Sequence, residues 1–178
     1  MVVLGIDPGT ANTGYGVVLC RGGRLCALDG GVIETRAAAS PEQRLGTIHA
    51  SVLGLIDEHD VGAVALEDLY FGQNTRSAFA VGQARGVVLL AGGQRGLSCH
   101  SYTPQQVKAA VCGHGRAPKE QVARMVAAML SLAQAPARDH ASDALAVAIC
   151  HANAAPLSRA LQVLGAPQSV ATGTGSRR

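Results

Sequence analysis

Apolar positions along this chain change their spacing repeatedly, and each change marks a new element. Val2–Asp7 is a nearly continuous apolar run ending in an acid, the pattern of a strand buried on both faces. Pro8, Gly9 and Asn12 signal a turn, Thr13–Cys20 a second strand, Arg21–Arg24 a turn with two glycines, and Leu25–Thr35 a third strand. Turns this short predict antiparallel hairpins. Ser40-Pro41 then opens a helix as N-cap and first-turn proline. Leu45, Ile48, Val52, Leu55 and Ile56 keep helical spacing to about His59.

Val61–Glu67 returns to strand character and again ends in a carboxylate. Thr75–Gly93 reads as a second long helix, rich in Ala, Gly and Val, and its small residues permit close approach of another helix. Leu97–Tyr102 is a short strand. Thr103-Pro104 starts a helix to about Cys112, Gly113-His114-Gly115 breaks it, and Ala117-Pro118 starts the next through Leu132. A last helix covers about Asp139–Asn153. The order βββαβαβα with trailing helices predicts one α/β domain over residues 1–153. It fits a ribonuclease-H-like mixed five-stranded sheet flanked by helices, and fits a Rossmann sheet poorly. Residues 154–178, rich in Ala, Gly, Ser, Thr and Pro and ending Ser-Arg-Arg, predict a flexible C-terminal tail.

Composition narrows the class. Hydrophobic residues make up 48 % and charged residues 15 %, which excludes a disordered chain. The longest apolar runs, Val61–Leu66 and Ala144–Cys150, are too short to span a bilayer, and no basic leader with a cleavage site is present. The expectation is a soluble, cytoplasmic protein. Five scattered cysteines without a C-x-x-C pair support neither a zinc knuckle nor a disulfide framework, and predict reduced, mostly buried thiols. The net charge of +3 says little, but its distribution says more. Residues 1–70 carry nine Asp or Glu against four Arg, whereas 71–130 carry five Arg and two Lys against one Glu, Glu120. An acidic first half and a basic middle suit metal ions held beside a polyanion.

Asp7 and Glu67 end two strands, and neighbouring strands that stop at one sheet edge bring such side chains together. His140 and Asp143 lie i, i+3 on one helix face. Clustered carboxylates repel one another and call for cations. Hard oxygen donors suit Mg²⁺ or Mn²⁺, and an imidazole favours Mn²⁺. Taken singly, each residue has a plainer reading: Asp7 as a turn residue, Glu67 as a surface acid beside Asp68, Asp139 as an N-cap, and His140 and Asp143 as first-turn or helix-surface residues.

Together these residues bring a family into view. Leu4-Gly5-Ile6-Asp7-Pro8-Gly9-Thr10, followed by Thr13-Gly14-Tyr15-Gly16-Val17, resembles the first motif of RuvC Holliday-junction resolvases. Ala65-Leu66-Glu67 resembles the second acidic strand, and Gly82-Gln83-Ala84-Arg85-Gly86-Val87 the helix motif. Gln106-Val107-Lys108 with Lys119-Glu120-Gln121-Val122 resembles the basic segment, and Asp143–Ala148 the terminal acidic helix. The likeness covers about residues 2–153 in the family's order. In one place the chain departs from it: His140 stands where the best-known members carry Asp, as it does in some relatives. Asp139, i, i+4 from Asp143, is an alternative ligand.

The resemblance implies a crossover junction endodeoxyribonuclease that makes paired symmetric nicks by two-metal phosphodiester hydrolysis. Asp7, Glu67, His140 and Asp143 would hold two Mg²⁺ or Mn²⁺ ions, leaving 5′-phosphate and 3′-hydroxyl ends. Lys108 and Lys119 would support the scissile phosphate, or position it without a catalytic share. Tyr70 and Phe71 would form an aromatic wedge at the opened crossover, unless they pack into the core. Arg76, Arg116 and Arg124 are candidate DNA-backbone contacts, as is Arg85, which its helix position also suits to a structural role. A C2 homodimer through the helix Ala78–Gly92, and cooperation with the RuvA–RuvB branch-migration complex, complete the expectation. The rival readings are an actin-like or sugar-kinase ATPase, which would require a second related domain, a non-catalytic junction-binding protein spoiled by His140, and a shorter RuvX-type RNA nuclease.

Overall fold

The computed structural model describes residues 1–68, 75–134 and 139–165, and for 75–77 and 156–165 it describes the backbone course alone. Five strands form one sheet: β1 (Val2–Asp7), β2 (Asn12–Arg21), β3 (Arg24–Glu34), β4 (Ala63–Glu67) and β5 (Cys99–Tyr102). Their order is β3-β2-β1-β4-β5. The first three strands are the expected antiparallel hairpins, while β1–β4 and β4–β5 are parallel pairs reached through crossover helices. Helices α1 (Pro41–Glu58), α2 (Thr75–Gln94), α3 (Pro104–Cys112), α4 (Lys119–Met129) and α5 (Asp139–Gly165) make up the other elements of the described residues.

Alternation along the strands divides the core in two. Val3, Val18 and Ala65 pack with α3, α4 and α5 on one face, against Val107, Val122, Val126, Leu145 and Ile149. Leu4, Ile6, Val17, Val64 and Leu66 point the other way, onto Ile48, Val52 and Ile56 of α1 and Val88 of α2. Helix starts obey their sequence signals. Gln43 Oε1 accepts from Ser40 N–H ahead of α1, and Thr103 and Gln106 exchange reciprocal side-chain-to-backbone bonds at α3. Arg95 grips both carboxylate oxygens of Asp57 at 2.6 Å, fixing the end of α2 against α1.

Three expectations change. Helix α5 continues to Gly165, so residues 154–165, expected in the tail, are helical; 166–178 lie outside the described residues. Helix α4 stops at Met129, and Ser131 follows at a positive φ of 54°. The five cysteines are all free, as expected, but Cys150 alone is buried and Cys26 is exposed. Among the described residues no helix is long and apolar enough to cross a membrane.

Candidate active site

Strand register assembles the acids. β1 and β4 pair Gly5 with Ala65 and Ile6 with Leu66, so Asp7 and Glu67 leave the sheet side by side, one step past the last pair. Both belong to the alternate set that contains Val3 and Ala65, and so face α5. Glycine then brings α5 close. A Cβ on Gly14 would lie 2.0 Å from the His140 carbonyl oxygen, and one on Gly5 would lie 2.1 Å from that of Ala144. The first turns of α5 therefore rest directly on the backbone of β1 and β2, which carries His140 and Asp143 to the acidic edge.

There His140 Nδ1 donates to Asp7 Oδ2 at 2.7 Å. Lys119, opening α4, bridges Asp143 Oδ2 at 3.2 Å and Asp139 Oδ2 at 3.3 Å. Glu67 is half-buried, and its carboxyl is pushed up to about 7, first by burial and then by the negative charges of Asp7 and Asp143, with Lys119 and Lys108 opposing. Burial also raises Asp143; Lys119 draws it back, and Asp7 and Asp139 add to the rise. For Lys119, desolvation pulls its ammonium down, but bonds and charge from Asp143 and Asp139 outweigh it and the net direction is upward. A cavity of about 180 Å³ opens beside these groups, lined by Glu67, Lys108, Lys119 and Asp143 at its polar end and by Pro104, Val107, Val122 and Ala146 at its apolar end.

The structure thus brings Asp7, Glu67, His140, Asp143, Lys108 and Lys119 to one corner. Asp139, the alternative to His140, is 79 % exposed and bound to Lys119, while His140 touches Asp7. Arg116 and Arg124 are exposed, on the loop before α4 and on α4 itself. Tyr70 and Phe71 lie outside the described residues, and for Arg76 only its place at the start of α2 is described. Arg85, considered above either as a DNA contact or as a structural residue of its helix, takes the structural course: it reaches inward to the end of β4, bonding the Glu67 carbonyl and Asp68. The pairing of Lys119 with Asp143 was missed, although opposite charges on two candidate site residues hinted at it.

As they stand, no group of three or more His, Cys, Asp and Glu among the described residues is arranged to hold a metal ion, since Asp143 engages Lys119 and Asp7 engages His140. The donor set nonetheless fits one. Three carboxylates supply hard oxygen donors and His140 a borderline imidazole nitrogen; burial first, and the mutual repulsion of the acids after it, pushes Glu67 and Asp143 upward, and the lysines offset this only in part.

Fold and site together define a ribonuclease-H-like protein whose acid cluster sits at the carboxyl ends of β1 and β4, under the start of the last helix. The family model "Crossover junction endodeoxyribonuclease RuvC" matches residues 3–151. The chain belongs to the RuvC family. It is 53 % identical over 156 residues to the Crossover junction endodeoxyribonuclease RuvC of Moorella thermoacetica, covering 88 % of this chain and 93 % of that one. The solved Thermus thermophilus RuvC superposes with a TM-score of 0.83 at 42 % identity, over 89 % of this chain and 97 % of that one. A second structure, T. thermophilus RuvC in complex with Holliday junction substrate, gives 0.85 at 42 % identity, over 89 % and 96 %. Membership of this nuclease family carries with it a divalent-metal requirement.

Proposed function

We infer that this chain resolves four-way DNA junctions by cutting two strands symmetrically. The observation that carries the inference is the convergence of Asp7, Glu67, His140 and Asp143 with Lys108 and Lys119 at one corner, in a chain of the RuvC family. The T. thermophilus relative solved with Holliday junction substrate supports the substrate. Asp7, Glu67, His140 and Asp143 would hold two Mg²⁺ or Mn²⁺ ions, and the chemistry those ions would supply is Lewis acidity for hydrolysis of the phosphodiester.

The protein's own groups have separate tasks. The Asp7–His140 bond orients both side chains. Lys108 and Lys119 present positive charge to the scissile phosphate from the polar end of the cavity. Exposed Arg116 and Arg124, with Arg76, contact the DNA backbone, and Tyr70 and Phe71 stack at the crossover. Cuts made this way leave 5′-phosphate and 3′-hydroxyl ends that a ligase seals.

Two symmetric cuts need two sites, hence a C2 homodimer. Helix α2 supports this, because it leaves Phe79 71 % exposed and Leu90 54 % exposed, with Leu89 beside them. The RuvA–RuvB complex is the proposed partner, and the cytoplasm the proposed location.

The test is incubation with a synthetic mobile junction and with matched duplex, in Mg²⁺ and Mn²⁺ separately, against Asp7→Asn. Metal-dependent nicking of the junction alone, absent from the variant, is expected. Binding without nicking in either metal would replace this reading with a non-catalytic junction binder.

A further inference from the structure

We propose that Arg85 is a positioning residue for Glu67: from α2 it fixes the peptide unit from which that carboxylate projects. The proposal rests on reading Glu67 as a metal-binding acid of the reaction. Arg85 is 16 % exposed, and its guanidinium spends its donors inward. Nη1 donates to the Glu67 carbonyl oxygen at 2.9 Å. Nη2 lies 3.2 Å from Asp68 Oδ1 and also donates to Ser101 Oγ on β5.

These acceptors sit at a vulnerable place. The β4–β5 ladder ends at Leu66↔Ser101 and Glu67↔Tyr102, and the chain leaves the sheet just beyond. A terminal carbonyl there lacks a strand partner and frays unless something else satisfies it. Arg85 takes the Glu67 carbonyl, and Tyr102 O accepts the Asp68 N–H at 2.8 Å. The Glu67–Asp68 peptide is therefore held at both ends, so its plane cannot turn, and the direction of the Glu67 side chain follows from that plane. A rigid planar fork suits this task because it reaches several acceptors at fixed angles. A lysine at the same position keeps the charge beside Asp68 but has a single nitrogen and cannot span the set. Helix α2 gives the fork a firm base, since the neighbouring Ala84 and Val88 are fully buried. Two facts separate this role from general packing: the bonds fall on the residue bearing the candidate ligand, and they fix orientation without burying apolar surface.

Arg85→Lys and Ser101→Ala are compared with the full-length wild type by thermal melting, by calorimetric titration of the metal-free protein with Mn²⁺, and by junction cleavage with kcat and KM resolved. Partners that orient metal ligands typically carry about 10–100-fold in affinity or activity. Arg85→Lys is expected to stay folded, to lose Mn²⁺ affinity and kcat within that range, and to keep KM nearly unchanged. Ser101→Ala, at an exposed position, releases one arm of the fork and is expected to shift both quantities the same way by a few-fold. Wild-type Mn²⁺ affinity and kcat in a folded Arg85→Lys would overturn the proposal. A raised KM with unchanged kcat would also overturn it, making Arg85 a DNA contact. If Arg85→Lys does not fold, wild-type values in Ser101→Ala would overturn it equally. Wild-type protein that binds Mn²⁺ but cuts no junction would refute the resolvase reading instead, and the Mn²⁺ titrations would still decide the role of Arg85.

Discussion

Replacing Glu67 by glutamine removes a charge from a place where the fold resists it, while leaving shape and volume almost intact. In the folded protein this carboxyl is pushed from an ordinary 4.5 to about 7 by burial and by the neighbouring acids Asp7 and Asp143. A folded-state value raised above the unfolded one means that the folded protein holds the proton more tightly. The associated stability is fully present below pH 4.5, declines as pH rises through the window from 4.5 to about 7, and is gone above it. A shift of this size corresponds to at most about 3.4 kcal/mol, and solvent reaching the half-buried side chain lowers that to about 1–2 kcal/mol. Metal-free Glu67→Gln should therefore be more stable than wild type at pH 8 by about 1–2 kcal/mol, or about 2–8 °C in melting temperature for a chain of this length. The assay is urea and thermal denaturation in chelator at pH 4.5, 6 and 8. The gain should vanish at pH 4.5, and added Mn²⁺ should stabilise wild type more than the variant. A Glu67→Gln protein no more stable than wild type at pH 8, or equally stabilised at all three pH values, would refute the electrostatic argument.

Other parts of the account can be tested just as directly. Gly14→Ala places a methyl 2.0 Å from the His140 carbonyl, so α5 must move; a loss of about 1–3 kcal/mol in urea denaturation is expected, with cleavage reduced beyond what the remaining folded fraction explains. Phe79→Glu with Leu90→Glu should convert a dimer to a monomer in sedimentation, and a double variant that stays dimeric would remove α2 from the interface. Tyr70→Ala and Phe71→Ala should weaken junction cleavage by about 10-fold or more, on the scale of one to three kcal/mol per stacked base, without altering the melting temperature. Full cleavage by both would eliminate the wedge.

Much of the molecule was legible because period and punctuation agreed. Val2–Asp7 and Val61–Glu67 announced buried strands ending in acids, and the glycine turn at Arg21–Arg24 announced a hairpin; these elements alone fix where Asp7 and Glu67 meet. The final helix runs past the expected end at Asn153; the Ala, Gly, Ser, Thr and Pro content of 154–178 read as a tail, although Leu157, Leu161 and Leu164 keep helical spacing. What sequence could not supply was direction. The inward turn of Arg85 onto the end of β4, and the engagement of Lys119 with Asp139 and Asp143 beside the cavity, depend on helix rotation and on the approach of α4 to α5. Those follow from packing against a sheet whose partners are distant in sequence. Gly5 and Gly14 carried the same ambiguity: each fits a strand motif, and only the contact with α5 explains why neither can bear a side chain.

The most direct test is to label each strand of a mobile four-way junction at its 5′ end in turn and map the cuts made with Mg²⁺ or Mn²⁺. Nicks at matching positions in two opposed strands, sealed by ligase without further processing and absent with Asp7→Asn, are the expected result. Scattered nicks, cuts in one strand only, or a junction bound and left intact in both metals would contradict the claim that Asp7, Glu67, His140 and Asp143 form the working centre of a junction resolvase.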